Sequence, residues 1–177
     1  SHRIVAGLHL GATAPDPEPD GQIDLLLDNS NADDLNGLDD EDFSQNNFIT
    51  TFANPNTLVG GLHSPWILIP GEAASFQFTA TNNILDPNLP GFGEIARIDL
   101  FADWNNDGDF EDAGERWQQF LAPGNVNTPL QVDFTVPADA VPNVHLKARV
   151  RISTETVLDA NGKAKNGEVE DFIFVVA

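Results

Sequence analysis

Val144-His145-Leu146-Lys147-Ala148-Arg149-Val150-Arg151-Ile152 alternates without a break. Val144, Leu146, Ala148, Val150 and Ile152 are apolar, and the residues between them are basic. Successive side chains of a β-strand point to opposite faces. The nonapeptide therefore predicts a strand with one buried and one charged face, as antiparallel sheets carry. Ser75-Phe76-Gln77-Phe78-Thr79 repeats the pattern with its two aromatics on one side. Working outward, short alternating runs predict strands at Arg3–Leu10, Asn47–Phe52, Trp66–Ile69, Ala74–Ala80, Ile95–Trp104, Trp117–Leu121, Leu130–Val136, Val144–Ser153 and Val169–Val176. Gly60-Gly61, Pro70-Gly71, Pro90-Gly91 and Pro123-Gly124 punctuate them as turns. Helical periodicity is scarce, so the fold class expected is all-β, a sandwich or barrel.

The chain has 177 residues, which suits one domain over 1–177 with a real core. Asp and Glu number 28 against 8 Lys and Arg, a formal charge of −20. Nucleic acid is excluded as a partner, because its binding rests on neutralising phosphates with Lys and Arg. An anionic membrane surface is disfavoured for the same reason. Nothing resembles a run of about 20 apolar residues, so no membrane insertion is expected. There is no cysteine. So negative a field opposes compaction unless counter-charge arrives, and bound divalent ions supply it most directly.

Asp103-Trp104-Asn105-Asn106-Asp107-Gly108-Asp109-Phe110 places oxygen-bearing side chains at every second position, with a glycine at the sharp turn. A Ca²⁺ ion takes six to eight oxygen ligands at roughly 2.3–2.6 Å. The run fits the first six positions of D-x-[DN]-x-[DN]-G. It then leaves the EF-hand pattern, because Gly114 holds the twelfth position and Glu115 comes one residue later. A strand pattern precedes it, so a Ca²⁺ loop between strands is expected, with Asp103, Asn105, Asp107 and Asp109 as ligands.

Two further acidic constellations stand out. Residues 11–46 hold eleven Asp and Glu and no basic residue. Within them, Asp16, Glu18 and Asp20 are spaced by prolines, and Asp39, Asp40, Glu41 and Asp42 are contiguous. Alone, such a stretch reads as disordered, and a bound cation would order it. In Gly167-Glu168-Val169-Glu170-Asp171-Phe172, Glu168 and Glu170 share one strand face while Asp171 takes the other. Glu168 and Glu170 either cap a metal site across the fold or pair with Arg149 or Arg151 on a neighbouring strand, a contact worth about 0.2–1 kcal/mol.

The segment from Ala148 to Ser153 followed by Asn166-Gly167-Glu168-Val169-Glu170-Asp171-Phe172 resembles the signature of the GEVED domain, a module of large secreted and surface proteins of bacteria. The run Asp103–Phe110 resembles that family's acidic loop. Gly7–Gly11 with Asp16–Gln22 and Asp39–Asp42 looks like its opening. The resemblance implies an extracellular β-sandwich with long acidic Ca²⁺-binding loops, cut from a larger exported protein. Related modules of giant adhesins are similar to domains that take the end of a partner's chain.

The function expected is therefore that of a Ca²⁺-dependent adhesin module on the bacterial cell surface. It would act as a monomeric unit of a multidomain chain and bind a peptide or protein ligand on another cell. Several Ca²⁺ ions are expected, one of them with an open position for a terminal carboxylate. The segment 54–66, with His63 and Trp66 as ligand-binding candidates, and residues 82–93 are long enough to wall a pocket. A Ca²⁺-rigidified spacer and a carbohydrate-binding module are the alternatives, although Trp104 is expected to be packed and not a sugar platform. No enzyme is expected. The chain lacks a thiol nucleophile, a G-x-S-x-G elbow and an H-E-x-x-H pair, and His2, His9, His63 and His145 are not spaced as ligands.

Overall fold

The structure, a computed structural model, describes residues 3–15, 43, 47–50 and 68–177. It is all-β, with eight strands among the described residues. They are β1 (Leu8–Leu10), β2 (Phe48–Thr50), β3 (Ala73–Asn82), β4 (Ala96–Ala102), β5 (Arg116–Leu121), β6 (Asn125–Thr135), β7 (His145–Ser153) and β8 (Glu168–Val175). Every strand pairing is antiparallel. One sheet is built on β3, flanked on one side by β6 and on the other by β1 and β2, which share its edge end to end. The second runs β5-β4-β7-β8.

The two sheets close on a shared aromatic core. Phe76 of β3 stacks on Phe172 of β8 at 5.6 Å between centroids. Phe48 of β2 meets Phe76, Phe134, Phe172 and Phe174, so a three-residue strand is held by rings from three others. Trp104 packs against Trp117, Phe134 and Phe174, and is buried as its alternation implies.

Several strand limits differ from the periodicity. β1 is confined to Leu8–Leu10, because Ala6 and Gly7 turn the chain, with Gly7 at φ 85° and Leu8 N–H donating to Val5 C=O. β6 begins at Asn125, five residues ahead of the alternating run. Its leading half, Asn-Val-Asn-Thr-Pro, has no buried residue and no apolar alternation, so it carries no strand signal. Of the strand expected at Trp66–Ile69, Trp66 and Ile67 lie outside the described residues, and Leu68 makes a bridge to Val176.

The outer face of the β5-β4-β7-β8 sheet is basic and covered. Four arginines on it donate to carbonyls of the connection between β7 and β8. Arg97 reaches Thr156, Arg116 reaches Leu158, Arg149 reaches Ala160, and Arg151 reaches Asp159, Asn161 and Gly162. Beneath this strap Asp99, 0% exposed, pairs with Arg97 at 2.6 Å and Arg116 at 3.0 Å. Removing one member of a buried pair strands the others. Asp99→Asn is expected to lower stability by about 2 kcal/mol, the ~3–5 kcal/mol typical of a broken buried pair being reduced by the partial exposure of Arg116. Denaturant unfolding with an unchanged midpoint would show that the strap is held without this pair.

Candidate metal centre

The loop Asp103–Glu115 leaves the end of β4 and returns as β5. Asp103 is anchored through its N–H to Lys147 C=O on β7, and Ala102 N–H donates to Glu115 C=O, which closes the loop at its base. Inside, side-chain oxygens gather backbone N–H groups. Asp103 accepts from Asp107 and Gly108, both at 3.1 Å. Asn105 accepts from Asp107 at 2.9 Å, Asp107 from Asp109 at 3.1 Å, and Asp109 from Glu111 at 2.9 Å. Gly108 sits at φ 96° and Asn106 at φ 59°, left-handed conformations that glycine and asparagine tolerate best.

Glu115 is the residue that sequence spacing passed over. It is 2% exposed, against 1% for Asp103. Its Oε1 accepts from Trp104 N–H at 2.9 Å and its Oε2 from Asp112 N–H at 3.4 Å. Burial, with the nearby charges of Asp103 and Asp112 adding to it, pushes the Glu115 carboxyl above the usual glutamate range, against the two N–H groups that favour its charged form. The thirteenth position thus closes this loop, where an EF-hand uses the twelfth. The only available signal was a glutamate just after Gly114, which spacing alone set aside.

Asp103, Asp107, Asp109, Glu111, Asp112 and Glu115 lie within thirteen residues. Among the described residues, none of them has a Lys, Arg or His partner; the ion pairs lie elsewhere. Nor do any three His, Cys, Asp or Glu side chains converge as a metal-holding group among the described residues. The physical reason is in the bonds above: the carboxylates of Asp103, Asp107, Asp109 and Glu115 are turned onto loop N–H groups, and that of Asp112 takes the Asn105 amide. Each carboxylate oxygen has two lone pairs, so Asp103 and Glu115 keep acceptor capacity after these bonds. The donor set, all oxygen and all hard, fits Ca²⁺.

β8 places the other acidic residues differently. Glu168 and Glu170 lie on the inner face with Phe172 and Phe174, at 7% and 4% exposure, and Glu168 accepts from the backbone N–H of Leu10 in β1. Asp171 lies on the outer face and takes Arg149 in a two-pronged ion pair, both contacts at 2.5 Å. The Arg149 pair weighed for the two glutamates forms instead with Asp171 on the opposite face, and Arg149 turns away from the glutamates. Register separates the clusters: Glu168 stands beside Ile152, which pairs with Ile98, five residues before Asp103. The loop and the two glutamates are not brought to one point. Asp16, Glu18, Asp20, Asp39, Asp40, Glu41, Asp42, His63 and Trp66 lie outside the described residues.

The turn into β8 is set by Asn166 and Gly167. Asn166 is fully buried. Its Oδ1 accepts from Ser153 Oγ at 2.9 Å and Thr154 N–H at 3.0 Å, and its Nδ2 donates to Pro90 C=O at 2.9 Å. Gly167 follows at φ 104°, with Ile152 C=O where a Cβ would stand. This constrained turn delivers Gly-Glu-Val-Glu-Asp onto β7, and a family model, the GEVED domain, matches residues 97–175. The segment 97–175 is similar to a GEVED domain. The match takes in the Asp103 loop, the arginine strand and the Glu168 strand, while the opening run Gly7–Asp42 falls outside it. No curated protein and no solved structure matches the chain significantly.

Proposed function

We propose that this chain is a Ca²⁺-dependent ligand-binding module of a bacterial surface adhesin, acting by recognition and not by catalysis. The observation that carries it is the Asp103–Glu115 loop, six acids in thirteen residues with no cationic partner among the described residues and two of them buried. Burying ionised carboxylates without counter-charge is costly. A divalent ion would reverse that cost, and Asp103, Asn105, Asp107, Asp109 and Glu115 are the residues that would hold it.

The ligand proposed is a peptide or protein chain end, whose carboxylate would complete an ion's coordination shell; a chain of net charge −20 cannot attract an anion otherwise. Glu168 and Glu170, placed inside the sandwich beside β1, are proposed to serve a second ion with the acidic residues that follow β1 in sequence. Extracellular location and membership of a larger chain belong to the same proposal. A rigid spacer would share the ions and lack the ligand.

Asp107→Ala is expected to weaken Ca²⁺ binding at the loop by at least about tenfold, since affinity in such sites follows ligand charge. Glu115→Gln should weaken it as well. Calorimetric titration showing wild-type affinity and ion count in both variants would remove the loop from the list of sites. Peptides with free carboxyl ends that bind equally with and without Ca²⁺ would refute the metal-assisted mode.

A further inference from the structure

Among the described residues β5 pairs with β4 alone and β6 with β3 alone, so each strand leaves an edge. Backbone bonds fix which groups face it. Ala102 N–H donates to Glu115 C=O, and bonded pairs alternate along an antiparallel ladder. Trp117, Gln119 and Leu121 therefore bond β4, while the N–H and C=O groups of Arg116, Gln118 and Phe120 point off the edge.

The two edges differ. On β6 the same alternation, counted from the bond of Val136 N–H to Glu72 C=O, turns Pro129, Gln131 and Asp133 outward. Proline has no N–H to offer, Gln119 Nε2 donates to the Gln131 carbonyl at 3.2 Å, and Asp133 adds a charge. Proline and charge are common defences of an edge strand. β5 has no proline and no register break, and its one charge, Arg116, is held by buried Asp99 at 3.0 Å. Its far end is apolar. Phe120, 59% exposed, stands opposite Arg97. Ile95, two residues before Arg97, and Val157, next to the Thr156 whose carbonyl Arg97 holds, are exposed as well.

We propose that β5 receives an extended peptide as an added antiparallel strand, with an apolar side chain of that peptide against Phe120. Main-chain bonds would supply affinity, and alternate side chains specificity. Arg116 follows directly on Glu115, which closes the acidic loop. An antiparallel partner brings its carboxyl end to Arg116, beside that loop; a parallel one would bring an amino end. The direction rests on the reading of the loop as a cation site. With the terminal residue opposite Arg116, the fifth from the end stands opposite Phe120, on the same face. A second copy of the chain is disfavoured on this edge, because two chains of net charge −20 repel.

The test is hydrogen exchange by NMR on the Ca²⁺-saturated protein. The probes are N-acetylated heptapeptides of alternating valine and threonine with free carboxyl ends, at up to about 5 mM to cover weak binding. Their fifth residue from the end is phenylalanine, leucine or serine. The phenylalanine and leucine peptides are expected to slow exchange of the Arg116, Gln118 and Phe120 amides at least about tenfold, and to bind more tightly than the serine peptide. N-methylation of the third residue from the end, whose N–H would face β5, should weaken binding at least about tenfold. Methylation of the fourth, whose N–H faces away, should not. Gln118→Pro removes an N–H that β4 does not use and should weaken binding likewise; if it unfolds the chain, the methylated peptides still decide. Binding that persists in EDTA with the same amides protected would refute the metal-assisted reading and keep the edge. Binding without protection of those amides, equal effects of the two methylations, protection in peptide-free protein that grows with its concentration, or no binding by any of the peptides would each overturn the proposal.

Discussion

Excess EDTA is expected to lower the thermal unfolding midpoint of this domain by about 10 °C relative to saturating Ca²⁺. An ion that binds only the folded state at about a thousand times its Kd contributes ~4 kcal/mol. For a domain of this size each kcal/mol moves the midpoint by about 2–4 °C. The loop supplies the reason: Asp103 and Glu115 are buried close together, and repulsion from Asp103 and Asp112 adds to the burial cost of the charged Glu115. Without a cation the folded state bears that repulsion and the unfolded chain does not. Mg²⁺ should restore less of the shift, since it demands near-octahedral geometry and gives up water reluctantly. Differential scanning calorimetry that returned the same midpoint in Ca²⁺ and in EDTA would refute the cation-dependent reading of the loop.

Gly167→Ala is expected to destabilise the fold by more than ~4 kcal/mol, enough that little folded protein would be recovered. A Cβ at Gly167 would stand 1.8 Å from the carbonyl oxygen of Ile152 and 2.7 Å from its carbon. Those atoms belong to the β7–β8 ladder at its Ile152–Glu168 pair, so relief requires moving a strand and not a side chain. Gly162→Ala is the control. It has a comparable φ of 92° but nothing within 4 Å of the added carbon, so it should cost only the left-handed penalty, about 1–2 kcal/mol. Chemical denaturation of both variants measures the difference, which isolates the steric part. Equal losses would mean that backbone strain alone explains the glycine.

Much of the architecture was legible because it rests on period-two patterning. The Val144–Ile152 alternation, with Leu146, Ala148, Val150 and Ile152 inside, is reproduced residue by residue in β7. The turns at Pro70-Gly71, Pro90-Gly91 and Pro123-Gly124 fall where chain reversals occur. Edges were less legible. The amino-terminal half of β6 carries Asn, Thr and Pro on an exposed strand, and pairing with β3 holds it there in place of burial.

The sequence by itself determined an all-β chain, the two strands that carry the basic and acidic stripes, and the loop whose oxygens alternate, because strand periodicity and turn chemistry are local. Tertiary structure alone decided which stripe faces inward. In Glu168–Val175 both faces mix charged and apolar residues, and the packing of Phe172 and Phe174 onto Phe48 turns Glu168 and Glu170 inside. The same registration sends Asp171 out to Arg149. It also brings Glu115 back beside Asp103, through the β4–β5 pairing that returns the chain. Such contacts join residues whose spacing in the chain carries no period, so they emerge only when the sheets are assembled.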